Sequence, residues 1–435
     1  MQGFWSALRA SAGWQAATIN AIWFGPSFLW NAVHPILLPT LLLHRAPATK
    51  NTFYGLLTFV GLLVAMVVQP LSGAISDHTA HRLGRRRPWI IVGGVLGLAC
   101  LALMVGSRTL AGLALGYGML QFASNILHGP AQGLIPDLVP VSRHGLAAGA
   151  KSFVDMMGVI AAGLIISRVL DGQPPRAIAA ASVIAGVWTA AILVTVLVVK
   201  EKDTADRQSQ RLSIQTHLRG MLGIRLRGLG DYARLLASRY CILLSTYTVQ
   251  SFALFYFADV LRLPSPTRAM GNMMTMIGLS VLLSALPAGV LSERYGRKRL
   301  SLVAIGIVLA GMTALGVVRG LEQVWPLGIV IGLGMGVFSS VNWAWATDLV
   351  PVDEPAKYLG LSNLATAGAA ATSRLVGPLI DLCNNRWPNA GYSLLFVIAV
   401  LGAGVALVIT SRMRETRRDG PGHASREFTV QQQEL

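Results

Sequence analysis

The stretch DLVPV at residues 137–141 returns unchanged as DLVPV at residues 348–352, an offset of 211 residues. At the same offset, Gly149 returns as Gly360. Both copies sit between long apolar runs. A charged segment that is repeated between apolar runs is typical of a membrane protein built from two similar halves.

A second charged segment is also repeated. GAISDHTAHRLGRRRP (73–88) matches GVLSERYGRKR (289–299) once residues 78–81 are looped out, an alignment that places Arg85 opposite Arg297. Arginine clusters of this kind can clamp carboxylates at neighbouring helix ends in one conformation and release them in another. The repeated segments therefore supply the candidate gate residues: Gly73, Asp77, Arg82, Gly84, Arg85, Arg86, Asp137, Gly289, Glu293, Arg294, Gly296, Arg297 and Asp348.

The composition agrees with a membrane protein. Hydrophobic residues make up 53% of the 435-residue chain and charged residues 13%. A chain of this length has room for about twelve spans of roughly 20 residues each. The net charge of +17 does not indicate nucleic acid binding, because the basic residues lie in short loops between apolar runs. The sequence has no phosphate loop, hydrolase pattern or metal-ligand spacing, so we expect no cofactor, no metal and no enzymatic activity.

Apolar runs predict an all-α membrane protein with twelve transmembrane helices in two pseudo-symmetric six-helix lobes. We number these helices as spans, first to twelfth. The predicted spans are 17–43, 52–75, 89–107, 110–135, 146–169, 177–199, 241–262, 267–290, 300–318, 325–347, 359–381 and 390–411. The predicted domains are a first lobe (1–199), a basic cytoplasmic linker with an amphipathic helix (200–240), a second lobe (241–411) and a disordered cytoplasmic tail (412–435).

The distribution of basic residues predicts the orientation. Loops on one side of the predicted spans carry 25 of the 36 Lys and Arg residues. Since basic loops stay on the cytoplasmic side, we expect both termini in the cytoplasm. We further expect a monomer in the lipid bilayer of the cell (inner) membrane.

The repeated loops resemble the signature loop of the major facilitator superfamily. Within that superfamily, QPLSGAISDHTAHRLGRRRPWI (69–90) and HGPAQGLIPDLVP (128–140) are similar to segments of the plant sucrose–proton symporters and their animal and bacterial relatives. The resemblance implies a proton-coupled sugar or glycoside carrier that works by alternating access, with a functional carboxylate at Asp137. The fifth span departs from that family: it reads HGLAAGAKSFVDMMG (144–158), where the symporters have an arginine-rich stretch.

Lys151 and Asp155 are the candidate proton-coupling residues of the fifth span, together with Asp137. Lys151 and Asp155 are four residues apart and share a helix face. Asp155 lies about 14 Å from the predicted helix start, near mid-membrane, where a charge is costly without a partner or a cavity. Two interpretations stay open for the pair, a proton-binding carboxylate or a static ion pair. Two also stay open for Asp137, a gate residue or a coupling residue.

Polar and aromatic residues along several spans predict a substrate cavity. Amide and hydroxyl groups beside indole faces suit a sugar, which needs hydrogen bonds at its rim and an apolar plane beneath it. Polar packing between helices is the alternative. Arg374 either pairs with Asp381 at an outer gate or binds an anionic or sugar oxygen. The candidate cavity residues are Trp30, Asn31, His34, Gln121, Asn125, His128, Tyr247, Gln250, Asn342, Trp343 and Arg374.

Two other functions fit the same sequence. The first is a proton-coupled exporter of amphipathic compounds, for which Met156, Met157, Met273, Met274 and Met276 would line an apolar cavity. The second is a membrane protein that assists the assembly of pigment or membrane complexes and carries no substrate.

Overall fold

The computed structural model describes residues 12–172, 174–199, 201, 230–318, 320–350 and 355–415. Within these ranges all the regular secondary structure is helical, which confirms the predicted all-α class. Most of the predicted linker and most of the predicted tail lie outside the described residues.

The first lobe contains spans one to six. The first span begins as Ala12–Ala32, passes through a π-helical turn at Val33–Leu37 that includes Pro35, and continues as Leu38–Arg45. A proline removes one backbone donor, which accounts for the widened turn. Spans two to six are Lys50–Asp77, Arg87–Gly106, Leu110–Leu138, His144–Leu170 and Ala177–Val198.

The second lobe contains spans seven to twelve. Spans seven to ten are Gly230–Asp259, Pro266–Tyr295, Arg297–Val317 and Leu321–Leu349, and the twelfth is Ala390–Ser411. The eleventh span is broken at Leu375 into Pro355–Arg374 and Val376–Arg386. The sequence pattern did not predict this break.

Eleven helices of the described chain are long and apolar enough to cross a membrane. The broken eleventh span is outside that set, because its first piece is rich in Gly, Ala, Ser and Thr. Large apolar side chains such as Leu286, Val317 and Ile178 are more than 70% exposed, as expected of a surface that faces lipid. The chain is therefore an integral, multi-pass membrane protein.

The seventh span begins at Gly230, so the prediction that the linker extends to residue 240 is wrong. Tyr232, Leu235 and Ser238 are buried, and Tyr232 donates a hydrogen bond to the carbonyl of Tyr358 in the eleventh span. Charged residues at positions 231, 234 and 239 gave this segment the polar appearance of a linker. Its apolar side nevertheless packs into the second lobe.

The spans define two faces of the molecule. We call the face that carries the loops 78–86 and Gly296 the motif face, and the opposite face the distal face. Between the lobes, the second span packs on the eleventh and the fifth span packs on the eighth. Glycines allow these close approaches: Gly55 lies against the carbonyl of Arg374, and Gly163 lies against Gly271.

Candidate functional site

Arg86 is the centre of an ionic network at the motif face of the first lobe. It is 5% exposed and forms ion pairs with Asp77 and Asp137, the latter at 2.9 Å from Nε. Its Nη1 also donates to the hydroxyl of Ser76 and the carbonyl of Gly73. A neighbouring arginine, Arg85, adds a second guanidinium on Asp137. Together these bonds tie the ends of the second, third and fourth spans within one lobe.

The second lobe carries a simpler version of this network. Arg297 donates to Asp348 at 3.1 Å and to the hydroxyl of Ser292. These contacts make Arg297 the equivalent of Arg86, whereas the sequence alignment placed it opposite Arg85. The first loop is one residue longer after its glycine, so a gap placed at residues 78–81 shifted the arginines by one position.

Two glutamates that sequence reasoning missed complete the networks. Glu201 follows the sixth span, and its carboxylate accepts from the backbone nitrogens of Arg86 and Arg87 at 2.9 and 3.1 Å. Glu415 follows the twelfth span and accepts from the backbone nitrogen of Lys298 at 3.1 Å. Each carboxylate therefore sits at a helix N-terminus, where the helix dipole favours negative charge. A repeated Glu flanked by basic residues is the sequence signal that would have found them.

The remaining candidate gate residues differ in their surroundings. Gly84 and Gly296 have φ values of 94° and 93°, a left-handed conformation that favours glycine and lets the chain turn into the next span. By contrast, Arg82, Glu293 and Arg294 are exposed. Glycines Gly73 and Gly289 each accept a hydrogen bond from the serine three residues later in their span.

The distal face carries bonds between the lobes. Lys50 pairs with Asp259 at 2.9 Å, and Asp171 pairs with Arg268 at 2.6 Å. Asp381 accepts from the side chain of Asn51 at 2.8 Å and from the backbone nitrogen of Thr52 at 2.7 Å. A polar cavity of about 230 Å³ lies beside these bonds. The lobes are thus joined at their distal ends.

The alternative in which Arg374 pairs with Asp381 is not observed. The two residues are seven positions apart, about 10 Å along a helix, and the break at Leu375 lies between them. Asp381 instead caps the beginning of the second span. The guanidinium of Arg374 lies 5.6 Å from the ring centroid of Tyr54, a residue of the first lobe.

The structure brings Lys151 and Asp155 together with two aromatic residues. The Lys151 ammonium lies 2.7 Å from an Asp155 carboxylate oxygen and 4.1 Å from the ring centroid of Trp23. Trp23 in turn meets the ring of His128 edge-on, at 4.9 Å. The side chains of Lys151 and Asp155 remain about one third exposed. The pair is therefore formed, oriented by an indole, and accessible.

Polar residues of the first and fourth spans form a second cluster. His34 lies 2.9 Å from the hydroxyl of Tyr117, and Gln121 donates to the same hydroxyl at 2.8 Å. Trp30 stacks on His34, and Asn125 donates to the carbonyl of Gln121 at 2.8 Å. Tyr117 was missed because an aromatic residue near a span end reads as an interfacial anchor. The predicted cavity residue Asn31 bonds to Ser27 of its own helix instead.

The second lobe contributes a guanidinium that the sequence assigned to the linker. Arg239 donates to the side chains of Asn342 at 2.8 Å and Thr366 at 3.0 Å. Tyr247 lies within electrostatic range of both Arg239 and Arg374. Two other predicted cavity residues, Gln250 and Trp343, are exposed. The structure therefore bonds Asn342 to Arg239 and places Tyr247 near both guanidiniums.

Two lobes of membrane-spanning helices that meet at one face, with polar side chains between them, define a membrane carrier. The sequence model of the Major Facilitator Superfamily matches residues 27–373 and 242–432. The chain therefore belongs to the Major Facilitator Superfamily and is a membrane transporter of that superfamily.

Relatives and solved structures agree with this assignment. Sucrose transport protein SUT1 of Oryza sativa subsp. japonica is 34% identical over 123 residues, and proton-associated sugar transporter A of Mus musculus is 33% identical over 102 residues. Each alignment covers 23% of this chain, but only 22% of the rice protein and 13% of the mouse protein.

Solved structures resemble the whole chain in fold. A D-xylose-proton symporter has a TM-score of 0.68 at 16% identity, with 92% of this chain and 97% of that chain covered. A mutant of nucleoside transporter NupG has the same TM-score and identity, with coverage of 92% and 98%. At these identities the likeness shows the fold alone.

Proposed function

We propose that this transporter imports a sugar or glycoside together with protons, by alternating access between the two lobes. The observation that carries the proposal is the Lys151–Asp155 pair, a carboxylate far from the span ends that remains accessible to solvent. A carboxylate in this position is suited to bind and release a proton, since a membrane-embedded charge is otherwise costly. The named substrates of the rice, mouse and xylose transporters support a sugar.

The surroundings of Asp155 and Asp137 favour different roles for the two carboxylates. Asp155 has one ammonium partner, which leaves it available for protonation when Lys151 turns to another acceptor. Asp137 is held by two guanidiniums of its own lobe, which leaves it less available for a proton than Asp155. The sugar ring would lie against Trp30 with a hydroxyl bound by His34, both partly exposed, while the buried Tyr117 and Gln121 hold His34 in place from behind.

The same proposal includes orientation and assembly. The motif face, with its basic loops, would lie in the cytoplasm together with both termini, in the cell membrane, and the protein would work as a monomer. The rival export function loses one of its arguments, because Met273 and Met274 are buried. Met273 packs against Gly328 of the tenth span, within the second lobe.

The test is uptake of radiolabelled sucrose, maltose and glucose into proteoliposomes, with and without an inward proton gradient. We expect the gradient to stimulate uptake of one of these sugars. In Asp155→Asn the stimulation should disappear while exchange of sugar across the membrane continues, because only the proton-binding group is lost. Ser152→Ala, an exposed change on the same helix, is the matched control.

Retained stimulation in both Asp155→Asn and Asp137→Asn would contradict this coupling scheme. Stimulation that disappears in Asp137→Asn alone would move the proton site to the motif face. Flat uptake of all three sugars by correctly folded protein would reject sugar import.

A further inference from the structure

The centre of the second lobe holds two guanidiniums that are not neutralised. Arg239 is bound by an amide oxygen and a hydroxyl, both neutral. Arg374 is partly exposed, and its Nε is buried without a hydrogen-bond partner. Neither has a carboxylate within 4 Å among the residues that the structure describes. Buried cations in proteins are normally paired, so this arrangement needs an explanation.

The first lobe does not compensate this charge. Away from their ends, the described spans also carry Lys151 and Asp155, which neutralise each other at 2.7 Å. Among the described residues, the charges of Arg239 and Arg374 are therefore an excess that no carboxylate within 4 Å offsets. The excess faces polar first-lobe residues, since His34 and Tyr117 lie within electrostatic range of Arg374.

We propose that the transported sugar carries an anionic group, a carboxylate or a phosphate, which Arg374 binds. This inference rests on the proposed function, because it names the substrate class of the same site. The guanidinium presents a planar fork of donors that matches an oxyanion. The ring of Tyr54, from the first lobe, lies beside this guanidinium. Arg239 adds to the positive potential, but its Nε and Nη1 already donate hydrogen bonds to Thr366 and Asn342 of the second lobe.

The position of Arg374 also explains how one ligand would contact both lobes. The anionic group would lie on the eleventh span, and the ring would reach the partly exposed Trp30 and His34 of the first span. A neutral sugar would satisfy the second part of this site and leave the first part empty.

The experiment uses the whole chain in proteoliposomes and three ligands that share one ring: glucose, glucuronate and glucose 6-phosphate. Counterflow exchange of the radiolabelled ligand is measured, since exchange needs no proton gradient. We expect at least one anionic ligand to exchange about tenfold faster than glucose at low concentration, the effect of one charge-assisted contact. The ligand that exchanges faster identifies the carboxylate or the phosphate.

Variants test whether Arg374 causes the preference. Arg374→Gln should reduce anion exchange about tenfold more than glucose exchange, whereas Arg374→Lys should keep part of the preference. Arg386→Gln, an exposed change at the distal end of the same span, should behave as the unmodified protein. An equal fall for all three ligands in Arg374→Gln would indicate a structural role and overturn the assignment.

The two proposals fail in different ways. Glucose exchange that equals or exceeds that of both anions overturns the anionic substrate and leaves sugar import intact. Absence of exchange for all three ligands also overturns it, and gradient-driven uptake of sucrose and maltose then decides on sugar import separately.

Discussion

The two faces of this transporter use their charges in opposite ways. At the distal face, ion pairs join one lobe to the other, as in Lys50–Asp259 and Asp171–Arg268. At the motif face, Arg86 and Arg297 bind carboxylates of their own lobe. In the alternating access proposed above, the distal bonds would break when the lobes part at that face, while the motif-face bonds could persist and keep each lobe rigid.

Substitution of Gly55 is expected to have the largest effect on the contacts that close the distal face. In Gly55→Ala the new methyl group would collide with the backbone carbonyl of Arg374, which cannot move aside as a side chain can. Overpacking of this kind costs about 3 kcal/mol, so the distal-closed state should lose about a hundredfold in population. The check is the rate at which an impermeant maleimide labels Thr267→Cys, a buried position beside Thr40 of the first lobe, in a background without the natural cysteines.

Gly186→Ala is the matched control, because nothing lies within 4 Å of the added methyl group. Labelling of the Gly55 variant at the control rate would contradict a tight seam between the second and eleventh spans.

Replacing Arg86 and Arg85 in turn compares the effect of a buried charge with that of a more exposed charge in the same lobe. Arg86→Ala removes the partner of two carboxylates and should lower the free energy of unfolding by about 3 kcal/mol. Arg85→Ala should lower it by about 1 kcal/mol, since its side chain is more exposed and Arg86 still holds Asp137. Thermal unfolding in detergent measures both changes.

Neither arginine variant should change maleimide labelling at Thr267→Cys, because both act within the first lobe. Faster labelling in Arg86→Ala would show that the motif-face network also controls the distal face.

Asp381 tests a bond between the lobes without a steric clash. Asp381→Ala leaves the Asn51 amide and the Thr52 backbone nitrogen without their acceptor, at a cost of about 1–2 kcal/mol. Labelling at Thr267→Cys should rise about tenfold. Asp231→Ala, which breaks a local pair with Arg234, is the control. An unchanged labelling rate in Asp381→Ala would remove this residue from the bonds that hold the distal face closed.

Lys50 should give the smallest effect. Its pair with Asp259 is partly exposed, and Asp259 keeps the hydrogen bond from Tyr392 when Lys50 is replaced. Lys50→Gln should therefore cost less than about 1 kcal/mol and raise labelling only a few-fold. A rise larger than that of Asp381→Ala would reverse the order of importance proposed here.

The repeats in the sequence were sufficient to predict the lobes, because charged loops between apolar runs are local features. The break at Leu375 was not predictable from a run of small residues. The sequence assigned Arg239 to the linker, because three charged residues gave the segment a polar appearance despite the apolar side of its helix. Glu201 and Glu415 were missed for another reason: each acts at a helix end more than 110 residues away in sequence.

The candidate site shows the same contrast between local patterns, which the sequence predicts, and contacts between spans, which it does not. Lys151 and Asp155 were predictable because four residues place two side chains on one helix face. The partners of Arg374 depend on how the eleventh span is broken and on which lobe it meets, and a linear pattern contains neither. Tyr54 and Tyr117 belong to the site through contacts between spans, which only the folded chain brings together.

Arg374 takes part in both processes by which this transporter would work. Its carbonyl oxygen lies in the seam against Gly55, and its guanidinium points to the proposed binding site. A ligand bound to the guanidinium would therefore also act on the contact between Arg374 and Gly55. Substrate binding and closure of the distal face would then depend on the same residue, which directly precedes the helix break at Leu375.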